Sequence, residues 1–100
     1  MPAVLRLGDN CTGHECWPPR PNIEGSPNVY VNGLPAHRKG DAYASHCCTH
    51  PGVPHGCHAS ILAVGSSSVY VNGIPLGRVG DAVKCGGSGA GGSPNVYAGG

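Results

Sequence analysis

The sequence predicts an all-β domain of β-hairpins arranged with pseudo-threefold symmetry and without a long helix. Three observations carry this prediction. One unit occupies residues 26–41 and returns at residues 67–81. The two halves of the same unit recur at the chain ends, the first half at residues 93–100 and the second at residues 2–9. No stretch shows a sustained helical period of apolar residues, so no long helix is expected.

Each complete unit is predicted to form a β-hairpin. A short run of β-branched and aromatic residues precedes an Asn-Gly pair, and a second run follows it. The pairs are Asn32-Gly33 and Asn72-Gly73. Asn and Gly both tolerate the positive φ angles that a type I′ turn requires, which makes this pair a strong hairpin signal.

The third unit is split between the two termini. An arginine stands two positions before a glycine in every copy: Arg6 and Gly8, Arg38 and Gly40, Arg78 and Gly80. The repeat is therefore circular, and we expect the chain ends to pair as antiparallel neighbours. Residues 1–100 are interpreted as a single domain of three circularly arranged repeats without an effector extension.

The composition leaves little material for a conventional core. The chain has 18 Gly, 10 Pro, 1 Trp, 4 Tyr and no Phe in 100 residues. Domains of this kind usually need a disulfide, a metal or a partner for stability. The net charge is only +1, without clustered Lys and Arg, which argues against a nucleic-acid surface.

No apolar run is long enough for a signal peptide or a membrane span. We therefore expect the chain to fold in a cytoplasm, where thiols stay reduced. The 6 Cys and 6 His are then interpreted first as metal ligands. Cysteines that bind no metal remain either buried small residues or partners in disulfides formed after export.

The loops that follow the Gly-Asp pairs should lie on one side of the domain. His14 and His46 follow their unit's glycine at the same offset, and Cys85 follows at an offset one residue shorter. Threefold-related loops bring these three residues towards the axis. A fourth ligand is expected from the long middle loop, where His58 is favoured because it stands last, just before the next strand. The candidates there are His50, His55, Cys57 and His58. Three His and one Cys suit a closed, tetrahedral Zn²⁺ site.

Other polar residues are given structural roles. The aspartates after the unit glycines are expected to cap turns, and the unit arginines either pair with them or face a partner. His37 is expected to pack or lie at the surface, and Trp17 to cover the small core. The aspartates are Asp9, Asp41 and Asp81.

The repeated unit resembles the PAAR-repeat family. Residues 35–38 read Pro-Ala-His-Arg and residues 75–78 read Pro-Leu-Gly-Arg, each followed by x-Gly-Asp, and Ser-Pro-Asn-Val-Tyr-Val-Asn-Gly precedes the first. The resemblance covers essentially the whole chain. It implies a sharp β-rich cone with one zinc ion near the apex, held by His14, His46, His58 and Cys85.

The resemblance also implies a function. PAAR proteins cap the trimeric β-helical spike of type VI secretion systems and contractile phage tails, one copy per trimer, and help to pierce the target membrane. Such a tip is no enzyme, and any effector cargo would travel with the spike. The residues expected at the spike-facing base are Val29, Tyr30, Val31, Val69, Tyr70, Val71, Val96 and Tyr97.

Two alternatives stay open at the level of the sequence. One is a disulfide-rich secreted binding module without metal. The other is a small zinc hydrolase, which would need an open coordination position and a general base, for which Glu15 is the acid nearest in sequence.

Overall fold

The computed structural model describes residues 1–49 and 56–100. Within these ranges there are strands and turns but no helix, so no helix there could cross a membrane. The strands form three antiparallel pairs, β1 with β2, β3 with β4 and β5 with β6. Their bounds are Tyr30–Val31 (β1), Leu34–Pro35 (β2), Ala42–Cys47 (β3), Cys57–Ile61 (β4), Tyr70–Val71 (β5) and Ile74–Pro75 (β6). The predicted all-β class is confirmed.

The two predicted hairpins form with the predicted turns. Tyr30 faces Pro35 across the first hairpin, and Tyr70 faces Pro75 in the second. The turn residues all have positive φ, with values of 54° and 77° in the first hairpin and 56° and 75° in the second. Asn-Gly supplies these conformations at little steric cost, so each unit's register follows from its turn.

The chain ends complete the third unit. Ala3 bridges Tyr97 in antiparallel orientation. The amide of Val4 donates to the carbonyl of Val96 at 3.0 Å, and the amide of Ala98 donates to the carbonyl of Pro2 at the same distance. The antiparallel pairing expected of the termini is therefore present.

A closed ring of backbone hydrogen bonds joins the three units. The amide of Leu5 donates to Gly77, Gly77 donates to His37, and His37 donates to Leu5, over N···O distances of 2.9, 2.8 and 3.1 Å. Each residue stands just before its unit's arginine. Equivalent backbone groups thus meet around one axis, as a threefold repeat requires, although their side chains differ.

Two small apolar clusters lie along this molecule of 43 × 23 × 23 Å. The lower cluster comprises Val4, Ala36, Val71, Leu76 and Ala98, with Val31 packed against it. The upper cluster comprises Leu5, Cys11, Tyr43, Leu62 and Val83. Six segments surround the upper cluster, each paired with the next, through the residue pairs Asn10–Pro21, Asn22–Tyr43, Ala42–Ile61, Leu62–Val83, Ala82–Ser88 and Cys11–Gly89. The core is as small as the composition predicts.

The unit arginines pair with the unit aspartates. Arg38 donates from Nε to Asp41 at 2.9 Å, and its backbone amide donates to the same carboxylate at 2.8 Å. The same pattern recurs at Arg6–Asp9 and Arg78–Asp81. Each aspartate therefore caps its turn and holds its arginine, as expected from the sequence.

His37 has a packing role. Its ring is fully buried against Tyr43, with 5.0 Å between ring centroids, and its Nδ1 lies 2.7 Å from the carbonyl oxygen of Glu24. Burial lowers the pKa of His37, so the imidazole is neutral at pH 7. His37 belongs to the core and takes no part in the histidine cluster described below.

We expect Gly77→Ala to lower the free energy of unfolding by about 1–3 kcal/mol, the usual cost of overpacking. A Cβ at this position would lie 2.6 Å from Leu62 Cδ2 and 2.9 Å from the backbone oxygen of His37. Urea unfolding measures the change, with Gly56→Ala as the control because a Cβ there meets open space. Equal stabilities for the two variants would contradict the tight packing inferred at the axis.

Candidate metal centre

The four predicted ligands converge at one end of the upper cluster. His14, His46, His58 and Cys85 each offer a ligand atom, and these atoms all lie within 4.8 Å of one another. The Nε2 atoms are 3.2 Å apart for His14 and His46, 3.0 Å for His14 and His58, and 2.7 Å for His46 and His58. The sequence alternatives His50 and His55 lie outside the described residues.

Strand pairing brings two of these histidines together. His46 on β3 and His58 on β4 are cross-strand partners. His14 begins a tight turn in which its backbone exchanges two hydrogen bonds with Trp17. Cys85 comes from the third loop, where its amide donates to the hydroxyl of Ser60 at 3.0 Å. Each of the three Gly-Asp loops therefore contributes at least one residue to the cluster.

The Nε2 atoms of the three imidazoles face a common centre. His46 Nδ1 lies 2.7 Å from the carbonyl oxygen of Pro18, which accepts only, so Nδ1 carries the proton and Nε2 is unprotonated. Burial lowers the pKa of both His46 and His58, which favours the neutral form that binds metals. Nitrogen atoms that meet this closely cannot all be paired by hydrogen bonds, whereas a cation satisfies them together. Three imidazoles and one thiolate fit a four-coordinate metal site.

Trp17 covers this cluster instead of the apolar core predicted for it. Its ring centroid lies 5.2 Å from that of His14 and 4.9 Å from that of His58. Its indole Nε1 donates to the carbonyl of Gly56 at 3.0 Å, which fixes the ring across the two loops. The indole therefore covers the rings of His14 and His58 on one side.

Four of the six cysteines form disulfides. Cys16 is bonded to Cys48 and Cys47 to Cys57, while Cys11 and Cys85 are free. Of the two roles left open for cysteines that bind no metal, disulfide pairing holds for these four, and Cys57 is excluded as a metal ligand. The reason is the register of β3 and β4, because the pairing that aligns His46 with His58 also places Cys47 opposite Cys57.

Glu15 is not placed to act as a general base on a metal-bound water. Its carboxylate lies 3.8 Å from Nδ1 of His14, on the far side of the ring from the Nε2 atom that faces the cluster. The Glu15 side chain is also exposed. Its position therefore gives no support to hydrolytic chemistry.

Sequence reasoning missed Arg20, which lies between the two free sulfurs. Its guanidinium contacts both Cys11 and Cys85. Arg20 stands among prolines outside the hairpin units, so the repeat that identified the ligands gives no signal for it. The sequence could have indicated Arg20 only because it lies in the same loop as His14.

A family model described as PAAR motif matches residues 12–91. This range contains both complete hairpin units and all four candidate metal ligands, His14, His46, His58 and Cys85. A search of curated proteins found no match. Because the family model spans most of the 100 residues, the chain belongs to the PAAR motif family.

Proposed function

We propose that this chain is the tip of the central spike of a contractile injection machine, bound to the end of a trimeric β-helical spike protein. Family membership supports the general role. The observation that carries the specific proposal is a threefold apolar surface formed by the hairpins. Three equivalent positions of a single chain can then meet three identical chains of the partner.

The exposure of this surface repeats almost identically in the three units. Val29, Val69 and Val96 each have a relative exposure of 37%. The tyrosines that follow them, Tyr30, Tyr70 and Tyr97, are 58%, 56% and 52% exposed. Exposed apolar groups that recur in one pattern are typical of a binding surface, and tyrosine is enriched at the centres of such surfaces.

Two residues of the expected base belong to the core. Val71 is buried in the lower cluster, and Val31 packs against that cluster. Successive side chains of a strand point to opposite faces, so each valine turns inward while the tyrosine before it turns outward. The surface proposed to meet the spike therefore consists of the remaining six residues.

At the other end we propose one structural Zn²⁺ bound by His14, His46, His58 and Cys85. The supporting observation is the N₃S donor set, in which burial lowers the pKa of two of the imidazoles, His46 and His58. With four protein ligands no position is left for a catalytic water, so the role assigned to the metal is mechanical: it ties three loops together at the tip. Catalysis forms no part of the proposed function.

The remaining features of the role follow from this assignment. The tip would leave the cell on its spike, through a type VI secretion system or on a phage baseplate, and would enter the target membrane first. It needs no affinity for nucleic acid, in keeping with its low net charge. Effector cargo would be carried by the spike assembly.

We expect the triple variant Tyr30→Glu, Tyr70→Glu, Tyr97→Glu to lose at least about 100-fold in affinity for its trimeric spike partner. Each substitution places a charge where an apolar contact is expected, and truncating a tyrosine at an interface hot spot costs about 2 kcal/mol or more. Binding to immobilised spike trimer measures the affinity, and light scattering measures the expected ratio of one chain per trimer. Ile23→Glu is the control, because Ile23 is an exposed aliphatic residue outside the hairpins. Unchanged binding by the triple variant would refute the assigned surface.

A further inference from the structure

Arg20 is a buried cation without a carboxylate partner among the described residues. Only 5% of its surface is exposed. The other two buried arginines, Arg38 and Arg78, each form a two-point ion pair with an aspartate. Burying a charge is costly unless it is compensated nearby, so the groups around Arg20 must supply what a carboxylate supplies elsewhere.

The guanidinium of Arg20 is held at every nitrogen. Nε donates to the carbonyl of Ala44 at 2.7 Å, Nη1 to Cys11 Sγ at 2.9 Å, and Nη2 to Cys85 Sγ at 3.5 Å. The ring of Tyr43 lies beneath the guanidinium, 5.0 Å from its central carbon. The planar fork of arginine is rigid, so fixing one nitrogen fixes the direction of the others. Its two ends therefore point at the two cysteine sulfurs that are free of disulfides among the described residues.

We propose that Arg20 is a positioning residue of the metal centre, which holds the Cys85 sulfur towards the three imidazoles and is itself fixed by Cys11. This inference rests on the proposed metal site. Cys85 is the one ligand whose loop is not tied to the others by a disulfide. A hydrogen bond from outside the coordination sphere orients a ligand that is otherwise free to turn away.

Cys11 is suited to anchor the guanidinium. Its side chain is buried in the upper cluster, and its sulfur also accepts a hydrogen bond from the amide of Gly13 at 3.3 Å. Burial raises the pKa of the Cys11 thiol, but hydrogen bonds from Arg20 and Gly13 and the guanidinium charge outweigh it, so the pKa lies below its ordinary value. The Cys11 sulfur, itself fixed by the amide of Gly13, therefore holds one end of the guanidinium in place.

Cobalt binding to the full chain tests this proposal, because Co²⁺ reports directly on sulfur ligation through its thiolate charge-transfer absorption. Competition with a chelator gives the affinity for Co²⁺. We expect Arg20→Gln to weaken it by roughly 10–100-fold, the usual effect of losing an outer-sphere partner. We also expect a shifted or weaker charge-transfer band. Arg20→Lys keeps the positive charge but loses the planar guanidinium, and Cys11→Ser replaces the sulfur that holds it. The Co²⁺ affinity of both variants should therefore lie between those of Arg20→Gln and the wild type.

Arg78→Gln is the matched control, since it removes an equally buried arginine whose contacts do not include the metal ligands. It should lower stability and leave the cobalt affinity and spectrum unchanged. Wild-type affinity and spectrum in Arg20→Lys and Cys11→Ser would overturn the proposal even if Arg20→Gln does not fold. Failure of the wild type to bind Co²⁺ would instead overturn the metal centre itself, which separates the two outcomes.

Discussion

The Cys85→Ser protein is expected to contain no bound zinc and to be unfolded in reducing buffer, whereas the wild type is expected to contain one zinc per chain and to be folded. Structural zinc contributes on the order of 10 kcal/mol in small domains at neutral pH. Natural domains are stable by only about 5–15 kcal/mol in total. With two small apolar clusters as its core, this chain has little stability to replace the metal.

Metal content by mass spectrometry and far-ultraviolet circular dichroism measure the two parts of this prediction. His46→Ala should behave like Cys85→Ser, because His46 supplies a ligand atom from β3. His37→Leu is the control, since it removes a buried histidine away from the cluster and leaves a residue like the equivalent Leu5. A folded, metal-free wild type under reducing conditions would rule out a stabilising role for the metal.

The parts of the fold that could be predicted are those that short sequence patterns within the repeat determine. Asn-Gly pairs fixed two turns, and the equal offsets of His14 and His46, with that of Cys85 one residue shorter, identified three residues of the cluster. The sequence also placed the chain ends together, because the split unit could be completed only by pairing them. In each case a short stretch determines the local backbone geometry, and the same geometry is expected in the other units because they repeat that stretch.

The remaining features depend on contacts between segments far apart in the chain. Nothing in the sequence indicates that Trp17 lies on His14 and His58, because this follows from the direction in which one loop crosses another. Arg20 has no equivalent in the other units, so its role could not be predicted from the repeat. The inward position of Val71 follows from strand alternation, but two-residue strands are too short to show that alternation in sequence.

The two disulfides link some of the same loops that the proposed metal would link. Cys16–Cys48 ties the loop that carries His14 to the end of β3, and Cys47–Cys57 joins β3 to β4 beside His46 and His58. Their sequence separations are 32 and 10. Loop-closure entropy then predicts contributions of about 4 and about 3 kcal/mol, respectively. The three histidine-bearing segments therefore remain linked when no metal is bound.

We accordingly expect either set of cross-links to keep the chain folded and the loss of both to unfold it. The measurement is resistance to a protease, with and without chelator, for the wild type and for a variant with Cys16, Cys47, Cys48 and Cys57 replaced by Ser. Oxidised wild type should resist cleavage after chelation, and the serine variant should resist only while it holds metal. Because the predicted contributions of metal and disulfides are similar in size, neither alone should decide folding.

Cleavage of chelated, oxidised wild type as fast as the chelated serine variant would mean that the disulfides add nothing. A chelated serine variant that resisted cleavage would mean that the apolar clusters suffice. The expected result would mean that a chain folded around its metal under reducing conditions gains a second set of cross-links once it is oxidised.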